Sequence, residues 1–194
     1  MAVAHQAVSE SHTGTTGSAN EASFTWDHAA GGQPSGVLVF IANMDSDQPQ
    51  IDSITYGGVA LSSVSGAVAV DSATEIMRCS TYFLGETSQI PSGTQAVVVN
   101  RNNNAVELWA VCITVTAGAG KNTDVHTPGI VLLQGDGTLA VQSVTDGSPG
   151  TNSVRYAAIC SGLAAPPGPG TGSTALHNFD TGNQTAAVVR ETTA

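Results

Sequence analysis

Short apolar or alternating runs, each followed by a cluster of Gly, Ser, Thr, Asn or Asp, recur along the whole chain. That is the rhythm of strands and turns, not of helices. Ala2 to Val8 predicts a short first strand, and Thr13 to Asn20 a Gly/Ser/Thr-rich loop. Ser23-Phe24-Thr25-Trp26 alternates, with Phe24 and Trp26 on one face. Val37 to Ala42 is continuously apolar, as a central strand covered on both faces would be. Glu107 to Ala117 is a second such strand: Trp109, Val111, Ile113 and Val115 share one face, while Leu108, Ala110 and Cys112 share the other.

Turns punctuate these runs. Ile54-Thr55-Tyr56 and Val59-Ala60-Leu61 flank Gly57-Gly58, and glycine takes the positive φ values of a tight hairpin. Ile130 to Gln134 and Thr138 to Val144 flank Gly135-Asp136-Gly137 in the same way, and Pro149-Gly150 is a further turn. Asp45 to Gln50 reads as a polar turn and Gln95 to Arg101 as a Val-rich strand. Glu75 to Leu84 suits a strand with Met77, Cys79 and Phe83 on one face, although a short helix also fits it. Ser153 to Cys160 alternates, with Val154, Tyr156, Ala158 and Cys160 inward and Arg155 outward, and Ala186 to Arg190 is a last strand. Ala164 to Ser173, AAPPGPGTGS, reads as a loop or an arm reaching a neighbour.

About ten strands without βαβ alternation predict an all-β fold: an antiparallel β-sandwich of jelly-roll or immunoglobulin-like type. Residues 1–194 read as one domain, since sandwiches of this length need not divide.

Composition narrows the function. Only 10% of residues are charged, and the formal net charge is −10. Lys121 is the only lysine, and the arginines Arg78, Arg101, Arg155 and Arg190 are scattered. Such a chain is poorly suited to a row of phosphates or to anionic lipid, so neither nucleic acid nor membrane is an expected partner. The N-terminal segment lacks the basic start and apolar core of a secretory signal, and no run is long enough to span a bilayer as a helix. Cys79, Cys112 and Cys160 each lie in an apolar run, where a free thiol packs as a small hydrophobe.

Candidate chemistry is thin. His5, His12, His28, His126 and His177 fall in separate loops or strand ends with no H-x-x-x-H spacing, so no metal site is expected. Asp45, Asp47 and Asp52 lack the spacing and closing Glu of an EF-hand. Gly118-Ala119-Gly120-Lys121-Asn122-Thr123 looks like part of a phosphate loop, but position 115 is Val and Asn follows the Lys; it reads as a polar turn. A Ser/His/Asp set can be assembled on paper, but no G-x-S-x-G elbow accompanies it. Among the aromatics, Phe24, Trp26, Phe40 and Trp109 read as core, and Tyr56 and Tyr82 as the ones to expect on the surface. No catalytic, cofactor-binding or metal-binding residue is therefore assigned, and the chain reads as a non-enzyme.

The order of Ser23–Thr25, Gly36–Phe40, Ile54–Leu61, Tyr82–Gly85, Pro91–Val99 and Val111–Ala117 resembles jelly-roll-like β-sandwich domains of tailed-phage virion proteins and some bacterial surface proteins. The resemblance covers Ala2 to Ala117, and beyond it only the strand rhythm continues. It implies a capsid decoration (cement) protein: a homotrimer on the outer surface of the virion, assembled in the host cytoplasm, that bridges major capsid proteins. It brings no catalytic residue with it. The alternative is a carbohydrate- or receptor-binding β-module of a virion fibre, which requires exposed aromatics; a hydrolase is the third class.

Overall fold

The computed structural model describes residues 3–12, 22–43, 50–71, 77–102, 108–117, 122–124, 154–161, 169, 172–180 and 185–191. Every regular element among them is a strand. The strands are β1 (Ala4–His12), β2 (Ser23–Ala29), β3 (Gly36–Asn43), β4 (Ile51–Tyr56), β5 (Val59–Ala60), β6 (Ser62–Asp71), β7 (Met77–Leu84), β8 (Thr94–Arg101), β9 (Leu108–Thr116), β10 (Tyr156–Ser161), β11 (Ser173–Asp180) and β12 (Thr185–Glu191).

They form a five-stranded sheet in the order β1-β9-β3-β7-β6, a four-stranded sheet β2-β8-β4-β5 and a three-stranded sheet β10-β12-β11, all antiparallel. The expected β-sandwich is present, and a third sheet is added to it. The five-stranded sheet is the middle layer. Its inner face carries Val37, Val39, Ile41, Leu108, Ala110 and Cys112, which pack against Phe24, Ile54, Tyr56, Val97 and Val99 of the four-stranded sheet. Its other face carries Phe40, Ala42, Cys79, Trp109, Val111, Ile113 and Val115, which pack against Ala158, Ala186 and Val188 of the three-stranded sheet.

Two cores on one sheet explain the two continuous apolar runs. β9 is buried at every position from Leu108 to Val115, and β3 at every position but Leu38. A strand with one wet face would have alternated instead. The alternating β2 and β8 carry the outer, solvent-facing side of the four-stranded sheet.

Most of the predicted strands stand where expected. β1 runs further than Val8, and Glu75 to Leu84 resolves its ambiguity as a strand, Met77–Leu84. Gly57 and Gly58 have φ of 54° and 83°, so the Gly-Gly hairpin closes with both turn residues left-handed. β6 and β11 have no counterpart in the sequence reading, and the polar STALHNFD pattern of β11 is broken by a bulge between Ala175 and His177. The hairpin at 130–144, the Pro149-Gly150 turn, the loop at 13–20 and most of 164–173 lie outside the described residues.

One end of the sandwich is tightly tied. Thr123 donates its hydroxyl to the Ser35 carbonyl at 2.7 Å and its amide to the Gly85 carbonyl at 3.1 Å. Asn122 accepts from the Thr87 amide and donates to Glu86 Oε2. This strap lies so close over Gly36 and Gly85 that a Cβ at either position would collide with Thr123. The predicted polar turn after β9 is thus, over its described part, a clasp between the β3 and β7 ends.

Candidate functional site

The seam along β1 gathers the polar side chains with most chemical potential. β1 is an edge strand of the middle sheet, hydrogen-bonded to β9 from Ala4↔Thr116 to His12↔Trp109. A bulge between His5 and Ala7 shifts its alternation. As a result Val3, His5, Val8 and Glu10 all turn toward the three-stranded sheet, while Ser9 turns toward the four-stranded one.

On the inner side, Ser9 Oγ lies 2.7 Å from His28 Nδ1, and Trp26 Nε1 donates to the same oxygen at 2.8 Å. His28 Nε2 lies 3.1 Å from Thr114 Oγ1. Ser9 Oγ accepts from the Trp26 indole N–H, and the Ser9 and Thr114 hydroxyls, each able to donate or accept, bracket the two imidazole nitrogens. Burial, and secondarily the nearby His5, press the His28 pKa down to about 4. His28 is fully buried, edge-on to Tyr56 with ring centroids 5.9 Å apart.

A serine hydrogen-bonded to a histidine invites comparison with nucleophilic catalysis, which also needs a group to stabilise the imidazolium as it forms. Here the far nitrogen faces a neutral threonine hydroxyl. The Asp27 carboxylate sits on the exposed side of β2, and Glu10 turns to the other face of β1. A base pushed this far down accepts a proton poorly at neutral pH. The arrangement is a neutral hydrogen-bond chain that joins β1, β2 and β9.

On the outer side, Glu10 Oε2 accepts from Trp109 Nε1 at 2.7 Å and lies 3.2 Å from His177 Nδ1 on β11. Trp109 stacks on Phe179. His5 Nδ1 lies 2.9 Å from the Tyr156 hydroxyl on β10. Burial and then the Arg190 charge lower the His5 pKa, and burial raises that of Tyr156. The expectation that the histidines fall in separate loops or strand ends is therefore corrected. His5, His28 and His177 come from three sheets and all contact or belong to β1. No helical or short-range spacing signals this, because the pairing of β1 with β9 joins residues about a hundred positions apart in sequence. His126 and the His12 side chain lie outside the described residues.

The other candidates separate. Among the described residues no three His, Cys, Asp or Glu side chains come together as a metal site would require. Asp52 is exposed on β4, and Asp45 and Asp47 lie outside the described residues. Cys79 and Cys112 are buried free thiols, and burial drives the Cys112 pKa far up; the Cys160 side chain lies outside the described residues. Tyr56 is a correction: it is fully buried, with its hydroxyl unpartnered and its pKa pushed up to about 12 by burial and then Cys112. Tyr82 packs half-buried against the inner core, also contrary to expectation, and burial raises its pKa. Indeed none of the nine aromatics is exposed, Phe24, Phe40, Tyr56 and Trp109 being buried and Trp26, Tyr82, Phe83, Tyr156 and Phe179 half-buried.

The outer face of the four-stranded sheet is correspondingly plain. Ser23, Thr25, Asp27 and Ala29 of β2 pair with Asn100, Val98, Ala96 and Thr94 of β8, and Ser53 and Thr55 of β4 continue the rows. All are short side chains. The exposed charged residues among those described are Asp27, Asp52, Glu86, Asp124 and Asp180, every one acidic. No helix among the described residues is long and apolar enough to cross a membrane. No protein-family model, curated protein or solved structure matches this chain.

Proposed function

We propose that the protein is a structural component of a virion, a decoration (cement) protein that binds the outside of an assembled phage capsid and bridges its major capsid proteins. The observation that supports this reading best is the absence of any exposed aromatic among the nine in the chain. A sugar-binding module presents aromatic faces to its ligand, so the fibre or receptor-binding alternative loses its main requirement. What the four-stranded sheet presents instead is a surface of short side chains, Ser, Thr, Ala and Val together with Asp27 and Asn100. Such side chains lose little rotamer freedom when a second surface covers them. A protein that must lie against a large, repetitive shell is well served by that economy. The homotrimer belongs to this proposal through the family resemblance.

The test is to mix the purified protein with capsids that lack it, count bound copies, and heat the loaded shells. Binding in fixed stoichiometry with a raised disruption temperature is the expected result, since a ligand of the assembled state stabilises it by mass action. Absence of binding, or glycan binding on an array, would refute the cement reading.

A further inference from the structure

β1 is attached differently from β3 and β9, the central strands of the middle layer. It places no residue in either fully buried core, and only Val8, with Val3 just before the strand, touches one. Of its described side chains only Ser11 is buried. What holds it is the ladder to β9 and three side-chain clamps: Ser9 to His28, Glu10 to Trp109 and His177, and His5 to Tyr156. Each clamp contains a histidine. Beneath it runs β9, whose sequence LWAVCITVT is apolar, β-branched and buried on both faces. Without β1, that strand would offer an open edge of unpaired amides and carbonyls, a template for another chain's strand.

We propose that β1 is an acid-released strand whose place on the β9 edge is then taken by β1 of a second copy, giving a strand-exchanged dimer. The second copy is the fitting occupant because the site is already complementary to one sequence, this chain's own β1: the bulge at His5–Ala7 and the clamp partners on β2, β9, β10 and β11 are specific to it. Exchange retains every contact and changes only the chain that supplies it.

The groups around the clamps set the sign. His28 faces Ser9, Trp26, Thr114 and the Tyr56 ring, with His5 as its nearest charge-bearing neighbour. None of these is an anion, so a proton on the docked His28 is unsupported. His5 faces Tyr156 and the Arg190 cation. Both histidines accept protons more readily once β1 has left. The two clamps built on His5 and His28 therefore loosen in acid. The third clamp holds His177 Nδ1 3.2 Å from Glu10 Oε2. With the docked His28 near 4 against an ordinary value of 6.5, the shift His28 gives to the release equilibrium between pH 7 and pH 5 has a ceiling of about twentyfold.

Hydrogen exchange followed by mass spectrometry, corrected for intrinsic rates, reads this directly. At pH 5 the amides of β1 and the β9 amides facing it are expected to lose up to about twentyfold in protection relative to pH 7, while β3 stays protected. Equal loss in β1 and β3, or none in either, would overturn the release. His28→Gln is expected to flatten the pH response; if that variant does not fold, the wild-type profile across pH decides alone. Occupancy by a second copy is read separately. Ser11 and Ala110 are opposite one another in the ladder, so chains carrying S11C and A110C are mixed, taken to pH 5, returned to pH 7.5 and oxidised. A covalent heterodimer formed only after the acid step supports exchange, and its absence overturns it.

Discussion

Ser9 Oγ and His28 Nδ1 meet at 2.7 Å across the boundary between two sheets, nineteen residues apart in the chain. The contact ties the edge of the middle layer to the edge of the outer one, among the uncharged side chains of Trp26, Thr114 and Tyr56, and burial there favours the neutral imidazole. Stability should follow. The folded-state pKa of His28 is about 4 against an ordinary 6.5, a depression for a cationic acid. Protons therefore bind the unfolded chain first, and stability is full above about pH 6.5 and declines as pH falls toward 4, below which both states are protonated. The total loss is on the order of 3 kcal/mol. Urea unfolding at pH 7.5, 5.5 and 4 measures it, and His28→Gln should show a shallower decline than the parent.

Tyr56 has a buried hydroxyl without a partner. Removing a desolvated, unpaired polar group leaves the ring's packing intact, so Tyr56→Phe should leave stability unchanged or raise it by about 1 kcal/mol. Tyr56→Ala should cost roughly 3–5 kcal/mol through the cavity. A loss of more than about 1 kcal/mol in the Phe variant would show that the hydroxyl is satisfied in solution.

Gly85 and Gly58 make a contrast at equal chemistry. A Cβ at Gly85 meets the Thr123 carbonyl and the Phe83 ring, whereas Gly58 has a left-handed φ of 83° and open space around it. Gly58→Ala should cost about 1 kcal/mol from backbone strain. Gly85→Ala should cost roughly 2–4 kcal/mol, because the Asn122–Asp124 strap must move away. Thermal melts of the two variants rank them.

Cys79 and Cys112 should be inert in the folded protein, because both thiols are buried and burial holds Cys112 in its protonated form. A thiol reagent should modify them at the rate of unfolding; rapid labelling of both under native conditions would contradict the burial.

The strands were legible wherever burial wrote a period into the sequence. β9 announced both of its faces, because Trp109, Val111, Ile113 and Val115 alternate with Leu108, Ala110 and Cys112, and every one of them is covered. The Gly57-Gly58 turn was legible through backbone stereochemistry alone. β11 was not, since its half-buried side chains leave no clean period and a bulge interrupts it. The burial of Tyr56 was hidden because a hydroxyl at the end of an apolar ring reads equally as surface or core. The histidine seam was hidden for a different reason: it exists only after β1 has found β9, and no local pattern encodes a pairing over that distance.

That distance also has a meaning in time. Ala4 pairs with Thr116, so β1 leaves the ribosome long before its partner strand is made. At roughly 5–20 residues per second the wait is on the order of 5–20 s. A strand as apolar as β9, stranded for that long, would be a nucleus for misassociation on neighbouring chains. β1 is AHQAVSESH instead, soluble enough to idle. Polar clamps, not an apolar face, dock it once β9, β10 and β11 have all been made.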